Sequence, residues 1–405
     1  MESLKELYKI GSGPSSSHTM GPQRAALEVQ KKYPSAKHYE VYLYGSLSLT
    51  GKGHLTDYII EKTLGKENVN VHFKSDSLDY HPNGMVFEIY DKQKQLLDTV
   101  TVYSIGGGSI LFEGMEDTKQ KAVYPHYNMQ EIIAYVEEER ISLYDYVLRH
   151  EDADIEEYLL NILETMFKSV ETGLSIVGTI PGRLQLKRVA KCMHQQAVNT
   201  RRESERERLL ISSYAYAVSE QNACGQTIVT APTCGASGVM PAVLYYCYKQ
   251  LEIPKKELVK ALGVAGIFGN TIKYNATISG ADGGCQAEVG SACSMAASAY
   301  GWVLELSNSL IEYSAEMGLE HNLGLTCDPV GGYVQIPCIE RNGFGALRAI
   351  DAALYAKQLG YLRKNKISFD AVVRVMKETG KDLSSDYKET SLGGLAKEYG
   401  IIDEN

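Results

Sequence analysis

The stretch Ser279-Gly280-Ala281-Asp282-Gly283-Gly284-Cys285-Gln286-Ala287-Glu288-Val289-Gly290 opens a segment that ends at Cys338. Three of its cysteines, Cys285, Cys327 and Cys338, lie next to a glycine or proline or one residue away from it. Glycine lets a backbone approach a bulky group, and proline fixes a turn. Three thiolates on turns, without a histidine at zinc-site spacing, can hold three corners of an iron–sulfur cube and leave the fourth open. The same pattern also allows three buried thiols that pack as small hydrophobic groups.

A resemblance extends from this segment in both directions. The segment resembles the catalytic domain of the bacterial iron–sulfur L-serine dehydratases, and Thr230-Ala231-Pro232-Thr233 and Glu378-Thr379-Gly380-Lys381-Asp382 share that likeness. Two N-terminal stretches resemble the other domain of the same family: Gly11-Ser12-Gly13-Pro14-Ser15-Ser16-Ser17-His18-Thr19 and Tyr44-Gly45-Ser46-Leu47-Ser48-Leu49-Thr50-Gly51-Lys52-Gly53-His54. The likeness runs from about Leu4 to Lys397. It implies that Cys285, Cys327 and Cys338 are the protein ligands of a [4Fe–4S] cluster.

Composition narrows the class of protein. The chain has 405 residues and a formal net charge of −9, which does not suggest a nucleic-acid or anionic-membrane surface. The N-terminal Met1–Glu6 has no apolar core typical of a signal peptide, and no run of about 18 apolar residues suggests a membrane span. Eight cysteines in such a chain indicate reduced thiols, so we expect a cytoplasmic protein.

Hydrophobic patterning predicts an α+β fold, in which an N-terminal α/β domain precedes an all-α catalytic domain. We place the first domain at 1–114, a linker with helix at 115–153, and the helical domain at 154–405. In the first domain, strands are expected at 38–44, 69–73, 85–90 and 99–104, helices at 22–32 and 55–64, and a turn at 81–84. The expected later helices are 128–147, 155–172, 205–220, 239–250, 256–268, 287–300, 303–317, 346–358 and 369–378.

The chemistry of serine dehydration sets what the site must supply. Hydroxide is a poor leaving group, and the α-proton is weakly acidic. The resemblance implies an L-serine ammonia-lyase that yields pyruvate and ammonia, in which the open iron of the cluster acts as a Lewis acid on the β-hydroxyl. The α-proton needs a base, which the sequence does not identify.

The two N-terminal loops offer groups for catalysis and substrate binding. The run Ser15–Thr19 brings hydroxyls and an imidazole together, although a serine-rich helix cap has the same appearance. The stretch Ser46–His54 follows a strand, where α/β folds bind ligands, although an ordinary strand–helix loop also fits. Given the resemblance, we predict His18, His54 and Ser17 as catalytic. The residues predicted to bind substrate are Ser15, Ser16, Thr19, Ser48, Thr50, Thr233, Ser279 and Asn322.

Three alternatives stay open at this point. Lys273 could form a Schiff base with pyridoxal phosphate, but no glycine-rich phosphate loop follows a strand near it. The N-terminal α/β segment alone could be a non-catalytic amino-acid sensor, which would need no metal. The same chemistry could also act on threonine or cysteine, because one methyl group in a pocket is worth only about 1–3 kcal/mol.

Two departures from the family pattern stand out. The family usually continues Thr-Ala-Pro-Thr with Asn-Gly-Ala-Cys, whereas this chain has Cys234-Gly235-Ala236-Ser237, so a substrate contact by that asparagine is absent. Many members end in a cysteine that reaches the cluster, whereas Cys338 is the last cysteine here. We therefore expect no thiolate ligand from the C-terminal segment. The resemblance further implies L-serine as the small-molecule substrate, a homodimer, and no nucleic-acid or membrane partner.

Overall fold

The computed structural model describes residues 1–74, 76–81, 83–114, 122–390 and 393–403. Within these ranges the strands are β1 (Ile10–Ser12), β2 (His38–Leu43), β3 (Val69–Phe73), β4 (Gly84–Tyr90), β5 (Leu96–Gly106), β6 (Ser109–Phe112) and β7 (Thr227–Val229). The helices of the N-terminal part are α1 (Gly21–Lys32), α2 (Ser46–Leu49) and α3 (Thr56–Leu64). The later helices are α4 (Met129–Glu139), α5 (Leu143–His150), α6 (Ile155–Ser175), α7 (Ala190–Asn199), α8 (Glu203–Ala223), α9 (Val239–Gln250), α10 (Lys255–Asn275), α11 (Gly280–Gly283), α12 (Ser291–Val303), α13 (Asn308–Glu320), α14 (Cys338–Gly360), α15 (Phe369–Asp382) and α16 (Gly394–Asp403).

The N-terminal part is a five-stranded sheet with helices on one face. Its strand order is β3-β2-β4-β5-β6, with β2 and β3 parallel and the other neighbours antiparallel. Along β2, Tyr39, Val41 and Leu43 are buried while the residues between them are half-buried, as the two-residue period of a strand requires. Helices α1 and α3 cover the buried face, so these elements share one hydrophobic core.

The second part is mostly helical and is centred on α12. Residues 291–301 of α12 are buried, and the helix packs against α9, α10, α13 and α14. Its alanines, serines and glycines keep its surface shallow, so neighbouring backbones come close. A Cβ atom at Gly318 of α13 would lie 3.0 Å from the Cα atom of Ser294. The crowded centre therefore depends on small side chains on both helices.

The first residues of the chain belong to the helical core rather than to the sheet. Leu4, Leu7 and Tyr8 are buried in the hydrophobic cluster of the helical part, and the Tyr8 hydroxyl donates a 2.9 Å hydrogen bond to the Leu262 carbonyl. The strand that follows, β1, pairs antiparallel with β7, between α8 and α9. The chain thus crosses the helical core before it builds the sheet.

The expected α+β class is confirmed, with β7 as a short strand inside the helical part. Several expected helices have shifted bounds, and two of them differ most. The helix expected at 128–147 is broken because Arg140 has φ 55°, and a capping box of Ser142 and Asp145 starts α5. Helix α14 begins at Cys338, before the expected residue 346, so its first turn contains a predicted ligand. Residue 82 of the expected turn, residues 115–121 of the expected linker, and residues 404–405 lie outside the described ranges.

Among the described helices, none combines the length and the apolar character needed to cross a lipid bilayer.

Candidate active site

A cavity of about 510 Å³ lies between the N-terminal part and the helical core. Its lining comes from both parts. The segment Pro14–Thr19 before α1, called the serine loop from here on, is held against the helical core by the β1–β7 pairing. The predicted site residues that line it are Ser15, Ser16, Ser17, His54, Thr233, Ser279, Cys285, Cys327 and Cys338. The fold therefore brings together two sets of residues, one at positions 15–54 and the other at positions 233–338.

Each of the three cysteines is positioned by a local backbone feature. Cys285 follows Gly284, whose φ of +75° suits glycine, and precedes a π-helical turn at Gln286–Gly290. The Cys327 backbone N–H donates to the Tyr387 carbonyl at 2.7 Å, which ties its loop to the segment after α15. Cys338 is the first residue of α14. All three side chains are buried.

The thiols and their neighbours form one electrostatic unit. A hydrogen bond with Cys327 lowers the pKa of Cys285, and Arg341 acts in the same direction. The pKa of Cys327 is raised by that same hydrogen bond and by burial, and burial raises the pKa of Cys338. The thiolate form of Cys285 is thus favoured, whereas Cys327 and Cys338 stay protonated unless a cation lies nearby. A bound metal ion is such a cation, and thiols lose their protons when they coordinate a metal.

Glu288 is a site residue that the sequence analysis did not single out. One of its carboxylate oxygens accepts a 2.9 Å hydrogen bond from the Thr233 hydroxyl, and the other lies 3.7 Å from the Cys327 sulfur. The ligand atoms of Cys285, Glu288 and Cys327 lie within 4.8 Å of one another, so this group can hold a metal ion. Glu288 lies three positions after Cys285, on the same side of a helical turn, and that spacing was the available signal.

Thiolates are soft ligands that suit iron–sulfur clusters. The donor set at this end of the cavity, three thiols with one adjacent carboxylate, therefore fits such a group. Arg341 lies beside it, with its guanidinium donating to the Thr326 carbonyl and 4.0 Å from the Asp328 carboxylate. Glu389 also lines the cavity, and burial raises its pKa to about 8, with the charges of Glu288 and Cys285 adding to that effect.

The serine loop is held by a continuous set of hydrogen bonds. The Ser17 hydroxyl lies 2.8 Å from Nδ1 of His18, and Nε2 of His18 lies 3.0 Å from the Ser46 hydroxyl. The Asn222 amide donates to the Pro14 carbonyl at 3.0 Å, which fixes the loop to α8. Thr19 donates from its hydroxyl to the His54 carbonyl at 2.7 Å. The loop is therefore rigid where it faces the cavity.

The two histidines lie side by side, with ring centroids 4.6 Å apart. Burial lowers the pKa of His18 well below its usual range, and the neighbouring His54 adds to that effect. Burial also lowers the pKa of His54 to about 4. Both rings are therefore neutral at pH 7. His54 lines the cavity, and its Nδ1 atom has no hydrogen-bond partner in the described part of the chain.

The other predicted residues lie elsewhere. His18 is behind Ser17 and is not part of the cavity wall, and neither is Thr19. Ser48 lies in α2, and Thr50 follows that helix and donates to the Ser46 carbonyl. The Asn322 amide donates to the Gly318 carbonyl at 2.6 Å and accepts from Arg348, away from the cavity. For these residues a direct substrate contact remains a prediction.

Cys234, which replaces the usual asparagine, does not face the cavity either. Its buried thiol lies 3.3 Å from the Met20 sulfur, and burial raises its pKa. In this structure it packs between the serine loop and the helical core.

Comparison with known proteins relates this geometry to a family. The model of the serine dehydratase beta chain matches residues 3–70, and that of the serine dehydratase alpha chain matches residues 69–396. The L-serine dehydratase of Streptomyces coelicolor is 40% identical, covering 97% of this chain and 98% of the relative. L-serine dehydratase 2 of Escherichia coli is 38% identical over the full length of both chains. The L-serine dehydratase of Haemophilus influenzae is 36% identical, covering 98% of this chain and 99% of the relative.

Proposed function

Because the chain belongs to the serine dehydratase family, we propose that it converts L-serine into pyruvate and ammonia in the cavity described above. The observation that carries this function is that Cys285, Cys327 and Cys338 line the same cavity as Ser17 and His54. A Lewis acid and a base must act on adjacent carbons of one substrate. They must therefore reach one substrate together, and the shared cavity lining supports this arrangement.

The cofactor we propose is a [4Fe–4S] cluster held by Cys285, Cys327 and Cys338. The buried thiols, the adjacent Arg341 guanidinium and the Glu288 carboxylate support this choice. When bound through three cysteines, such a cluster supplies a Lewis acid that polarises the β-hydroxyl of serine.

His54 is the group we assign to the α-proton. Its ring lines the cavity, is neutral at pH 7, and has a buried Nδ1 atom without a hydrogen-bond partner among the described residues, so the imidazole can accept a proton. The electron pair of the Cα–H bond forms the carbon–carbon double bond as hydroxide leaves Cβ. The resulting enamine tautomerises to an imine, and water hydrolyses the imine to pyruvate and ammonia.

His18 and Ser17 act beside His54. Both ring nitrogens of His18 are within hydrogen-bond distance of hydroxyls, on Ser17 and Ser46, so His18 orients Ser17 rather than accepting a proton from the substrate. Ser17 lines the cavity, and we assign its hydroxyl to binding the polar groups of an amino acid. We retain Ser15, Ser16, Thr233 and Ser279 as substrate-binding residues because they also line the cavity.

Two properties of the whole protein complete the proposal. None of the eight cysteines, all of which lie in the described ranges, forms a disulfide, which supports a reducing, cytoplasmic setting. Helix α14 exposes the large side chains of Phe344 and Tyr355, and Tyr361 directly after it is also exposed, which supports the homodimer that the family resemblance implies. Sedimentation of the purified protein at two concentrations would test the dimer.

Anaerobic purification followed by iron and sulfide analysis and a pyruvate assay tests the function. Iron, sulfide and pyruvate formation from L-serine are expected together, and L-serine should slow the loss of iron in air. Activity without iron but with bound pyridoxal phosphate would favour the Lys273 alternative. Amino-acid binding without iron or turnover would favour a sensor. Assays with L-threonine and L-cysteine test the other substrates.

The assignment of the base has its own test. His54→Gln is expected to lower turnover about 10²–10⁴-fold, because a general acid or base contributes about this factor to the rate. Iron and sulfide should stay bound. The exposed His321 provides the matched control, since His321→Gln should leave turnover unchanged. Turnover within about tenfold of the unmodified protein in His54→Gln would contradict the assignment.

A further inference from the structure

The wall of the cavity is not uniform in charge. The part near the cysteines carries acidic groups, namely Asp282, Glu288 and Glu389. Another part of the lining carries cations, namely Arg24 from α1 and Lys273 from α10. A zwitterionic amino acid that enters such a cavity meets fields of opposite sign in different places, so its carboxylate and its ammonium group are attracted to different parts of the wall.

Lys9 shows how closely the cations are grouped. Its ammonium group donates a 3.1 Å hydrogen bond to the Ser109 hydroxyl, and Ser109 lines the cavity. Burial lowers the pKa of Lys9, its pairing with Glu6 raises it, and the charges of Lys273 and Arg24 lower it. Lys273 and Arg24 therefore both lie close enough to Lys9 to act on its charge, so the three cations are grouped at this part of the wall.

Pairing within the chain accounts for two of these charges and leaves the third. Lys9 pairs with Glu6 at 3.0 Å, and Lys273 pairs with Glu2 at 2.7 Å. Arg24 has no hydrogen bond or ion pair with any residue in the described part of the chain. A guanidinium presents parallel N–H groups that match the two oxygens of a carboxylate. An unpaired arginine in the wall of a cavity is therefore available to an anionic ligand.

The size of the cavity allows a second position for a small ligand. Its volume of about 510 Å³ lies in the range of sites that hold drug-sized ligands, roughly 300–1,000 Å³, whereas serine has only seven non-hydrogen atoms. The cysteines and the cations both line this space. An amino acid or its keto-acid product can thus lie at the cations without filling the space beside the cysteines.

We propose that Arg24, with Lys273 in the same cavity lining, forms a carboxylate-capture site in the cavity wall, where L-serine is held on its way in and pyruvate on its way out. The proposal rests on the function proposed above and names a residue that sets substrate affinity. It assigns no chemical step to Arg24. The ligand class is a small monocarboxylate, and the ammonium group of the amino acid is not required.

Steady-state kinetics of Arg24→Gln tests the site. The KM for L-serine is expected to rise about tenfold to a hundredfold, the range for losing a hydrogen bond to a charged group, with kcat within about twofold. Arg24→Lys keeps the charge and should restore most of the affinity. Arg363→Gln changes an exposed arginine that lies outside the cavity lining and should match the unmodified protein. An unchanged KM in Arg24→Gln, or a hundredfold loss of kcat at constant KM, overturns the proposal.

Direct binding separates this proposal from the proposed function. Calorimetric titration of the anaerobic holoprotein with pyruvate should give an affinity that weakens with added salt, and Arg24→Gln should lower that affinity about tenfold or more. Equal pyruvate affinity in both proteins overturns the capture site while leaving the dehydratase function intact. If the unmodified protein forms no pyruvate from L-serine, the proposed function fails, and loss of pyruvate binding in Arg24→Gln still supports a carboxylate site.

Discussion

At the residue scale, the cysteines differ in what surrounds them rather than in how deeply they are buried. Cys327 and Cys293 are both buried, but Cys327 lies in a loop at the cavity beside Cys285 and Glu288, whereas Cys293 lies within α12. Burial alone therefore does not identify a ligand. What distinguishes Cys327 as a proposed ligand is a second thiol, a carboxylate and a guanidinium nearby.

This difference gives a paired prediction. Cys327→Ala should lose bound iron and turnover together, because one of three proposed ligands is removed. Cys293→Ala, an equally buried change of the same chemistry, should keep both. Iron and sulfide analysis of anaerobically purified protein, with a pyruvate assay, makes the comparison. Full iron content and full turnover in Cys327→Ala would contradict the assignment of Cys327 as a ligand.

The buried His54 links the site to the pH dependence of stability. Its pKa is about 4 in the folded protein and about 6.5 when exposed, so the unfolded chain binds more protons between these values. Its contribution to stability is full above pH 6.5 and is lost as the pH falls toward 4, a change of about 3 kcal/mol. Urea unfolding across this range should show a shallower fall for His54→Gln. An equal dependence of the free energy of unfolding on pH in both proteins would contradict this role of His54.

At the element scale, one buried amide joins two pieces of the site. The Asn342 side chain accepts a 2.8 Å hydrogen bond from the Gly238 N–H and donates to the carbonyls of Gly235 and Cys338. It thereby connects the loop after Thr233 to the first turn of α14. No local pattern in the sequence predicts this link, because the two pieces are about 100 positions apart.

Removing that amide should loosen both pieces. Asn342→Ala leaves buried backbone groups without partners, so we expect a loss of about 2–4 kcal/mol in the free energy of unfolding and faster loss of iron in air. Asn199→Ala is the control, because among the described residues that exposed amide bonds to Gln195 alone, in its own helix. Urea unfolding and iron release would be measured for both. Iron release at the unmodified rate in Asn342→Ala would argue against a role in holding Cys338.

Local signals in the sequence predict most of the helices and strands but few of the tertiary contacts between them. The alternation along β2 and the helical periodicity of α6 are visible in the residues themselves, and the structure matches them. The break at Arg140 is not, because a non-glycine residue with positive φ carries no clear signature. The grouping of Cys285 with Cys327 depends on loops that only tertiary contacts position, so the resemblance, not the spacing, suggested it.

At the scale of the whole molecule, the N-terminal segment joins the two parts. Leu7 is buried in the helical core, where Gly269 of α10 leaves room for it, since a Cβ there would lie 2.8 Å from a Leu7 methyl group. The division at residues 114 and 153 remains a prediction. The packing of Leu4, Leu7 and Tyr8 indicates that residues before the serine loop are integral to the helical core.

Leu7 therefore affects the stability of the whole protein. Leu7→Ala should lower the free energy of unfolding by about 2–5 kcal/mol, because it leaves a cavity in a close-packed core. Leu27→Ala makes the same change at a half-exposed position of α1 and should cost less than about 1 kcal/mol. Urea unfolding at neutral pH provides both values. Equal costs at the two positions would show that the N-terminal segment is dispensable to the core.

The pairing of β1 with β7 sets an order of events during synthesis on the ribosome. Ile10–Ser12 leave the ribosome long before Thr227–Val229, and Leu262, the partner of Tyr8, is made later still. The sheet of residues 38–112 can form early. The N-terminal segment before it cannot pack until β7 and Leu262 have been synthesised. The serine loop, which follows that segment directly, therefore takes its final place only when most of the helical core exists. A nascent chain carries an unfinished active site until late in translation.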